Sequence, residues 1–277
     1  MTRLITEWIN EPEGDIGRID EKLKKAIGMD ISALAFLAAG IPRPPKDKLK
    51  RRKVAVVRFT TGEGVIGCFA ETVEAVVRHM GASVFIPRAS DAAGIYEAVS
   101  LGAEILFMAD DDRFIALNVK TGKIAENDLA TAKGYVKALS LMAGGLSGRE
   151  AMLLGYGKVG QAALELLLGE GASVSVYEKD AAKTASLRRE GVKILSELPR
   201  PLSGPVLDVT NEGGWLGAGD IAENARFSAP GIPMSLDDEA YIAYYDNVIH
   251  DPLQTGVAVM LAEALDTGGG SDGSHRP

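Results

Sequence analysis

Gly155, Gly157 and Gly160 form a G-x-G-x-x-G triplet within MLLGYGKVGQAAL, and Glu178 closes the apolar run SVSVY that follows. These residue types at this spacing suit a dinucleotide. Gly155 permits a tight turn, Gly157 lets backbone approach a pyrophosphate, and Gly160 lets helix and strand pack closely. A helix opening at Lys158 offers free N–H groups and a partial positive charge to the phosphates. An acid about 20 residues beyond such a loop accepts the adenosine ribose hydroxyls. It also repels a 2′-phosphate, so Glu178 is expected to favour NAD over NADP. The expected cofactor residues are Gly155, Tyr156, Gly157, Lys158, Val159, Gly160 and Glu178, with Thr210 at the end of the run PVLDVT.

A second glycine-rich loop, TTGEG, follows the run KVAVVRF a hundred residues earlier. It lacks a third glycine spaced for pyrophosphate, and the next strand ends in FIPRA without an acid. Placed at the carboxyl end of a parallel strand, Thr60, Thr61, Gly62 and nearby N–H groups could hold a small anion such as a substrate carboxylate. The run AEILFMA then ends in Asp110, Asp111 and Asp112. Carboxylates at that edge suit a substrate bearing ammonium groups. They also suit capping of the next segment. Both roles are expected, with Asp110, nearest the strand, facing the cleft. Magnesium is the weaker reading, since no further ligand set lies nearby. Oxidation of an alcohol commonly uses a histidine or lysine base. Here His275 lies in the tail, His79 ends a helix, and His250 has Asp251 on the opposite side of its strand. Oxidation at an amine carbon asks less of the protein, because the neutral amine pushes out hydride with its own lone pair.

The elements that must position these residues alternate. Residues 9–40 read as helices, with Ile16, Ile19, Leu23 and Ile27 at helical spacing. The stretch IPRPPKDKLKRRK, with three prolines and seven basic residues, reads as an irregular linker. From Lys53 the order is βαβαβ, then a long helix over TAKGYVKALSLMAGG. A second unit begins at Ser147 with strand, helix and strand, and continues through the runs PVLDVT, ARFSAP and NVIHDP to the helix LQTGVAVMLAEALD. The expected fold is α/β: N-terminal helices plus two Rossmann-like parallel-sheet units facing each other across a cleft. The expected division is 1–50 as helical lid and linker, 51–145 as substrate unit, 146–266 as NAD unit and 267–277 as a disordered tail.

Composition narrows the function classes. The 277 residues are 46% hydrophobic and 25% charged, as in ordinary globular proteins. A net charge of −8 disfavours nucleic acid and acidic membranes as partners. A single cysteine, Cys68, precludes an internal disulfide and fits a reducing compartment. With no signal-peptide pattern and no membrane-length apolar run, a cytoplasmic protein is expected.

The segments TTGEGVIGCFAETVEAV, GIYEAVSLGAEILFMADDDRFIALNVKTGKIAEN, GYGKVG and SAPGIP together resemble the pyrrolysine synthase family, over nearly the whole chain. The resemblance implies an NAD-dependent dehydrogenase whose substrate is an isopeptide, 3-methylornithyl-N6-lysine. It further implies oxidation at the carbon bearing the terminal amine, loss of ammonia and ring closure. By the resemblance, Thr61, Asp110 and Asn127 hold the substrate and carry the reaction. Val65, Ile66 and Tyr96 shape the pocket, and Leu4 sits on a helix that covers it. Ser228, Pro230 and Gly231 lie near the nicotinamide half of NAD. Asp251 joins the cofactor set, at a position where relatives are expected to carry glutamate. No metal is implied, and the only macromolecular partner allowed for is a second copy in a homodimer. A different two-domain NAD-dependent dehydrogenase and a non-catalytic NAD sensor are the competing readings of the same cleft.

Overall fold

The computed structural model describes residues 12–61 and 67–266. Leu4, Gly62, Val65, Ile66 and the tail 267–277 lie outside the described residues. Helices α1 (Pro12–Ile27), α2 (Ile31–Ala38) and α3 (Lys46–Lys50) precede a five-stranded sheet. Its strands are β1 (Lys53–Val57), β2 (Ser83–Phe85), β3 (Ile105–Ala109), β4 (Phe114–Asn118) and β5 (Ile124–Glu126), in the order β2-β1-β3-β4-β5. Helices α4 (Phe69–His79) and α5 (Asp91–Ser100) cross over between β1, β2 and β3, which are parallel. Four of the five β1 residues are buried, which is why the strand reads as a continuous apolar run.

Helix α6 (Asn127–Met142) leads to a six-stranded sheet. The strands are β6 (Glu150–Leu154), β7 (Ser173–Tyr177), β8 (Val192–Leu195), β9 (Pro205–Asp208), β10 (Arg226–Ser228) and β11 (Val248–Ile249), all parallel, in the order β11-β10-β9-β6-β7-β8. Counted from β8, this is the 3-2-1-4-5-6 order of doubly wound dinucleotide-binding folds. Between the strands lie α7 (Lys158–Gly169), α8 (Ala181–Thr184) and α9 (Asp238–Ala243), and α10 (Gln254–Leu265) ends the described chain. No helix among the described residues is long and apolar enough to cross a membrane.

Three local readings change. The linker contains α3, which starts on Pro45 and buries Leu49. A proline costs nothing at a helix start, where its missing N–H has no intrahelical partner. The first sheet is not wholly parallel: β4 runs antiparallel to β3, and β5 antiparallel to β4. Helix α6 begins at Asn127, four residues before the expected TAKGYV stretch, so Asn127 and Asp128 occupy its first turn.

Helix α10 follows β11 in the chain but packs on α6, α2, α4 and the β4–β5 edge of the first sheet. Every residue of α10 is buried. Its one acid, Glu263, pairs with Lys133 of α6. The α6–α10 crossing is close at two glycines. A Cβ on Gly134 would lie 2.5 Å from Thr255 Cγ2, and one on Gly256 would lie 2.5 Å from Thr131 Oγ1 and 2.9 Å from Asn127 Oδ1. Helix α1 spans the other side, against α4 and against the segment around β11. Ile16, Ile19 and Leu23 are buried, and Asp20 accepts from Ile31 N at 2.7 Å and contacts His79 Nε2 at 2.7 Å. His79 thus fastens α4 to α1. Lys22 Nζ donates to Tyr241 Oη at 2.8 Å and stands 3.9 Å from the Tyr245 ring centroid.

Two measurements test this packing. Replacing a mid-helix glycine by alanine ordinarily stabilises an exposed helix by about 1 kcal/mol. Gly256→Ala should instead destabilise the protein by about 1–3 kcal/mol, because the added methyl overpacks the crossing. Denaturant unfolding reads the sign, and a stabilised variant would mean that α6 and α10 are not in contact there. For Lys22, burial lowers the ammonium pKa to about 8, against the opposing pull of Asp246 and Asp251. Between about 8 and the ordinary 10.5, the unfolded chain therefore holds a proton that the folded chain has released. By linkage, this group makes stability rise with pH across that window. The unfolding free energy of wild type minus that of Lys22→Met should climb from pH 8 to 10.5, and a flat difference would place Lys22 in solvent.

Candidate functional site

In each sheet the strand order reverses direction once, and the crevice at that point opens beyond the carboxyl ends of the strands. In the first sheet it lies between β1 and β3, where Thr61 follows β1 and Asp110 follows β3. In the second it lies between β6 and β9, where Gly155 and Thr210 follow the strands. The two edges face one another. A single cleft is lined by Thr61, Asp110 and Asn127 from the first side and by Val159, Thr210, Pro230, Gly231 and Asp251 from the second. Phe69 and Phe114, packed edge to face with centroids 5.1 Å apart, supply part of its apolar wall.

Asp110 plays both expected parts. Its Oδ1 accepts from the N–H groups of Asp112 (2.9 Å) and Arg113 (2.8 Å), pinning the β3–β4 turn, while the residue lines the cleft. Asn127 is 9% exposed, and its Oδ1 lies 3.4 Å from the Thr131 hydroxyl one turn on. Asp251 is 4% exposed and both of its oxygens are occupied, Oδ1 by Thr255 N at 2.9 Å and Oδ2 by Thr255 Oγ1 at 2.6 Å. Tyr135, wholly buried, bridges the same corner. Its hydroxyl donates to Asp251 O at 2.8 Å and accepts from Asp251 N at 3.0 Å. Burial, and then the Asp251 carboxylate, push this phenol well above its usual range, so it stays a neutral donor.

The glycine loop forms a groove that joins this cleft. Gly155 adopts φ +93, which only glycine takes readily. A Cβ on Gly160 would lie 2.5 Å from Gly155 O, so the helix could not approach the strand with any side chain there. Before Gly157 the space is open, with nothing within 4 Å of an added Cβ. The groove is lined by Gly155, Gly157, Lys158, Val159 and Gly160, and by Glu178 and Thr210. Glu178 Oε2 accepts from Tyr156 N at 2.7 Å and Oε1 from Asp180 N at 3.0 Å, which fixes the acid at the rim. Tyr156, expected in the cofactor set, is not among the residues lining the groove; its N–H serves to hold Glu178. Thr210 is held by Asp208, a fully buried carboxylate whose Oδ1 takes the Thr210 N–H (3.0 Å) and hydroxyl (2.6 Å).

Other expected residues stand elsewhere. Thr60 turns away from the cleft, its hydroxyl donating to Asp91 Oδ2 at 2.6 Å and its N–H to Oδ1 at 2.8 Å. Tyr96 is 77% exposed on α5 and is not among the residues lining the cleft. Ser228 is fully buried behind Pro230 and Gly231, and its hydroxyl donates to Tyr135 O at 2.7 Å. Asp128, Thr131, Tyr135 and Asp208 are residues of the site that sequence reasoning passed over. The signal for Asp128 and Thr131 was a helix start at Asn127, which puts them on the helical turn carrying that residue.

These features define an α/β protein of two sheets, the second Rossmann-like, with a cleft lined from both. Among solved structures, the dehydroquinate dehydratase and shikimate dehydrogenase of S. pombe shares the fold, with a TM-score of 0.50 and 11% identity, over 85% of this chain and 52% of that one. Residues 9–125 match the family described as pyrrolysine biosynthesis protein PylD, N-terminal domain. The pyrrolysine synthase of Methanosarcina acetivorans is 34% identical over 96% of this chain and all of its own length. That of Methanosarcina barkeri is 30% identical over 90% of this chain and 92% of its own. The chain belongs to the pyrrolysine synthase family.

Proposed function

We propose that the protein is an NAD-dependent dehydrogenase that oxidises 3-methylornithyl-N6-lysine at the carbon bearing the terminal ornithine amine. The observation that carries this reading is that the Gly155–Gly160 groove adjoins the cleft walled by Asp110 and Asn127, the two sharing Asp128, Val159, Val209 and Thr210. A dinucleotide suits the groove's residues: the open space before Gly157 admits a pyrophosphate, and the start of α7 offers it unpaired N–H groups. When bound, a nicotinamide supplies a hydride acceptor. Glu178 supports NAD over NADP, because a 2′-phosphate would meet its carboxylate. The cations beside it are already matched, Lys183 by Glu178 at 3.5 Å and Lys179 by Glu212.

The first unit's residues serve the substrate. Asp110 keeps Oδ2 for a cationic group while Oδ1 holds the turn. Thr61 and the Asn127 amide offer neutral hydrogen bonds to the isopeptide's polar atoms. Phe69 and Phe114 cover its methylene chain and exclude water. Once the terminal amine is neutral, its lone pair expels hydride and leaves a protonated imine. Water adds to that carbon and ammonia departs. The ornithyl α-amine then closes the ring, returning one water, to give pyrrolysine. No lysine lines the cleft among the described residues, which speaks against the lysine-dependent alcohol chemistry of shikimate-type enzymes. The N-terminal segment to residue 50 is proposed as a cover for this cleft, and the two sheets as its substrate and cofactor halves.

Two experiments test the reading. Glu178→Ala should weaken NAD binding by about 1–3 kcal/mol, the worth of its ribose hydrogen bonds, and narrow the preference over NADP. Wild type that binds NADP more tightly would remove Glu178 as the ribose reader. Mixed with NAD and the isopeptide, wild type should produce reduced nicotinamide and free ammonia together, whereas Asp110→Ala should lose most turnover with NAD affinity unchanged. Equal NAD reduction with free lysine, ornithine or a hydroxy acid would replace the isopeptide assignment by a general dehydrogenase.

A further inference from the structure

The reaction needs a group that receives the substrate's terminal ammonium and takes its proton, and we infer that this group is Asp128. The inference rests on the function proposed above. Reaction must occur where the glycine-loop groove meets the inter-unit cleft, and four described residues line both: Asp128, Val159, Val209 and Thr210. The valines carry no polar side chain. The Thr210 hydroxyl is committed to Asp208 Oδ1 at 2.6 Å. Asp128 is the one side chain at the junction that can carry charge or accept a proton.

The state of its carboxylate points the same way. Asp128 Oδ1 is shielded from solvent and has no hydrogen-bond donor. An acid in the first turn of a helix ordinarily accepts from the free N–H groups there or faces water, and Oδ1 does neither. A shielded carboxylate oxygen without a donor is unfavourable; the residue itself lines both the cleft and the groove, so turning of the carboxylate towards an ammonium bound there relieves it. The other carboxylates of the cleft are differently placed. Asp251 has both oxygens on Thr255. Asp110 uses Oδ1 for the β3–β4 turn and, like Asp111, does not line the groove. Among the cations nearby, Arg58 pairs with Glu71 at 2.7 Å and Arg113 with Glu126 at 2.7 Å, while Lys158 lines the groove together with Asp128 and is the cation that faces it there.

The step balances simply. An N–H bond of the ammonium breaks, an O–H bond forms on Asp128, and the electron pair stays on nitrogen. That pair then forms the C=N bond as the C–H electron pair leaves as hydride for the bound nicotinamide. In water this proton transfer is uphill, from an amine of pKa about 10.4 to a carboxylate of about 3.9. Departure of hydride consumes the neutral amine as it forms, which draws the transfer forward. Asp110 anchors a second cationic group of the substrate, so the two aspartates divide the work between holding and deprotonation.

The test compares wild type, Asp128→Asn and Asp128→Glu, each checked for native circular dichroism. Calorimetry without cofactor measures binding of the isopeptide and of its analogue with hydrogen in place of the terminal amine. Wild type should prefer the amine-bearing ligand at least tenfold. Asp128→Asn should lose that preference, and Asp128→Glu should keep part of it. NADH affinity, read by its fluorescence, should be the same in all three. At neutral pH kcat should fall in Asp128→Asn and recover as pH rises towards the amine's own pKa of about 10.4, because an amine already neutral no longer needs the carboxylate. An asparagine variant that keeps both the preference and the wild-type kcat at neutral pH overturns this inference alone. So does one whose main loss is NADH affinity. Wild type that does not distinguish the two ligands overturns the substrate reading and this inference with it.

Discussion

The close crossing of α6 and α10 at Gly134 and Gly256 is the constraint on which the rest of the molecule depends. Helix α10 is buried along its whole length, so it can be accommodated only at the centre of the protein. Reaching that position requires two contacts at which no side chain fits, one against Thr255 and one against Thr131 and Asn127. The chain therefore leaves the second sheet at β11 and finishes against the helices and sheet of the first. The two units share a hydrophobic core that includes Val56, Leu139, Leu153 and Val259. The cleft has a fixed back wall for this reason. Asn127 and Asp251 lie more than a hundred residues apart in the sequence, and the crossing brings both to the same cleft.

Polar ties then set the register of that wall. Burying polar groups is unfavourable unless each finds a partner. Tyr135 satisfies the backbone of Asp251 in both directions, and Ser228 satisfies the carbonyl of Tyr135. Asp208 spends its two oxygens on Thr210 and on Ser235 N. The hydroxyls and carboxylates that look reactive in the sequence are in large part used for this purpose. Ser228, Thr60 and Asp251 are held by protein partners and shape the site through backbone placement. Asp128, by contrast, lines both the cleft and the groove and keeps an acceptor, Oδ1, that no protein group fills.

Legibility in the sequence followed the range of the interactions involved. The glycine loop, β6, α7 and β7 were readable because each feature depends on neighbours within about one supersecondary unit. Gly155 and Gly160 meet the local steric demands that their spacing implies. The acids beyond β3 were readable for the same reason. The hairpin of β4 and β5 was not, because the alternation in FIAL and IAE is too short to outweigh the acidic and Thr-Gly segments around it. Its stability comes from pairing with β3 and from α10, more than a hundred residues away. Helix α3 was hidden by the prolines that precede it, and the burial of Leu49 explains it. Tyr135 reads as one more apolar residue until α10 delivers Asp251 to its hydroxyl.

The same argument explains why Asp128 does not stand out in the sequence while Asp110 does. Asp110 ends an apolar strand, and a strand's carboxyl end in an α/β sheet is a known place for ligands. Asp128 follows a short edge strand and opens a helix, where an acid ordinarily does no more than complement the helix dipole. What distinguishes it is a relation between the two units: the first turn of α6 reaches the point at which the groove of the second sheet runs into the cleft of the first. That relation follows from the glycine crossing, since Gly256 fits α10 against Asn127 and Thr131 on the turn that also carries Asp128. A side chain at Gly256 would push that turn outward and shift the carboxylate relative to the glycine loop. Close packing at the centre of the protein and the position of an acid at the cleft are thus two consequences of one contact.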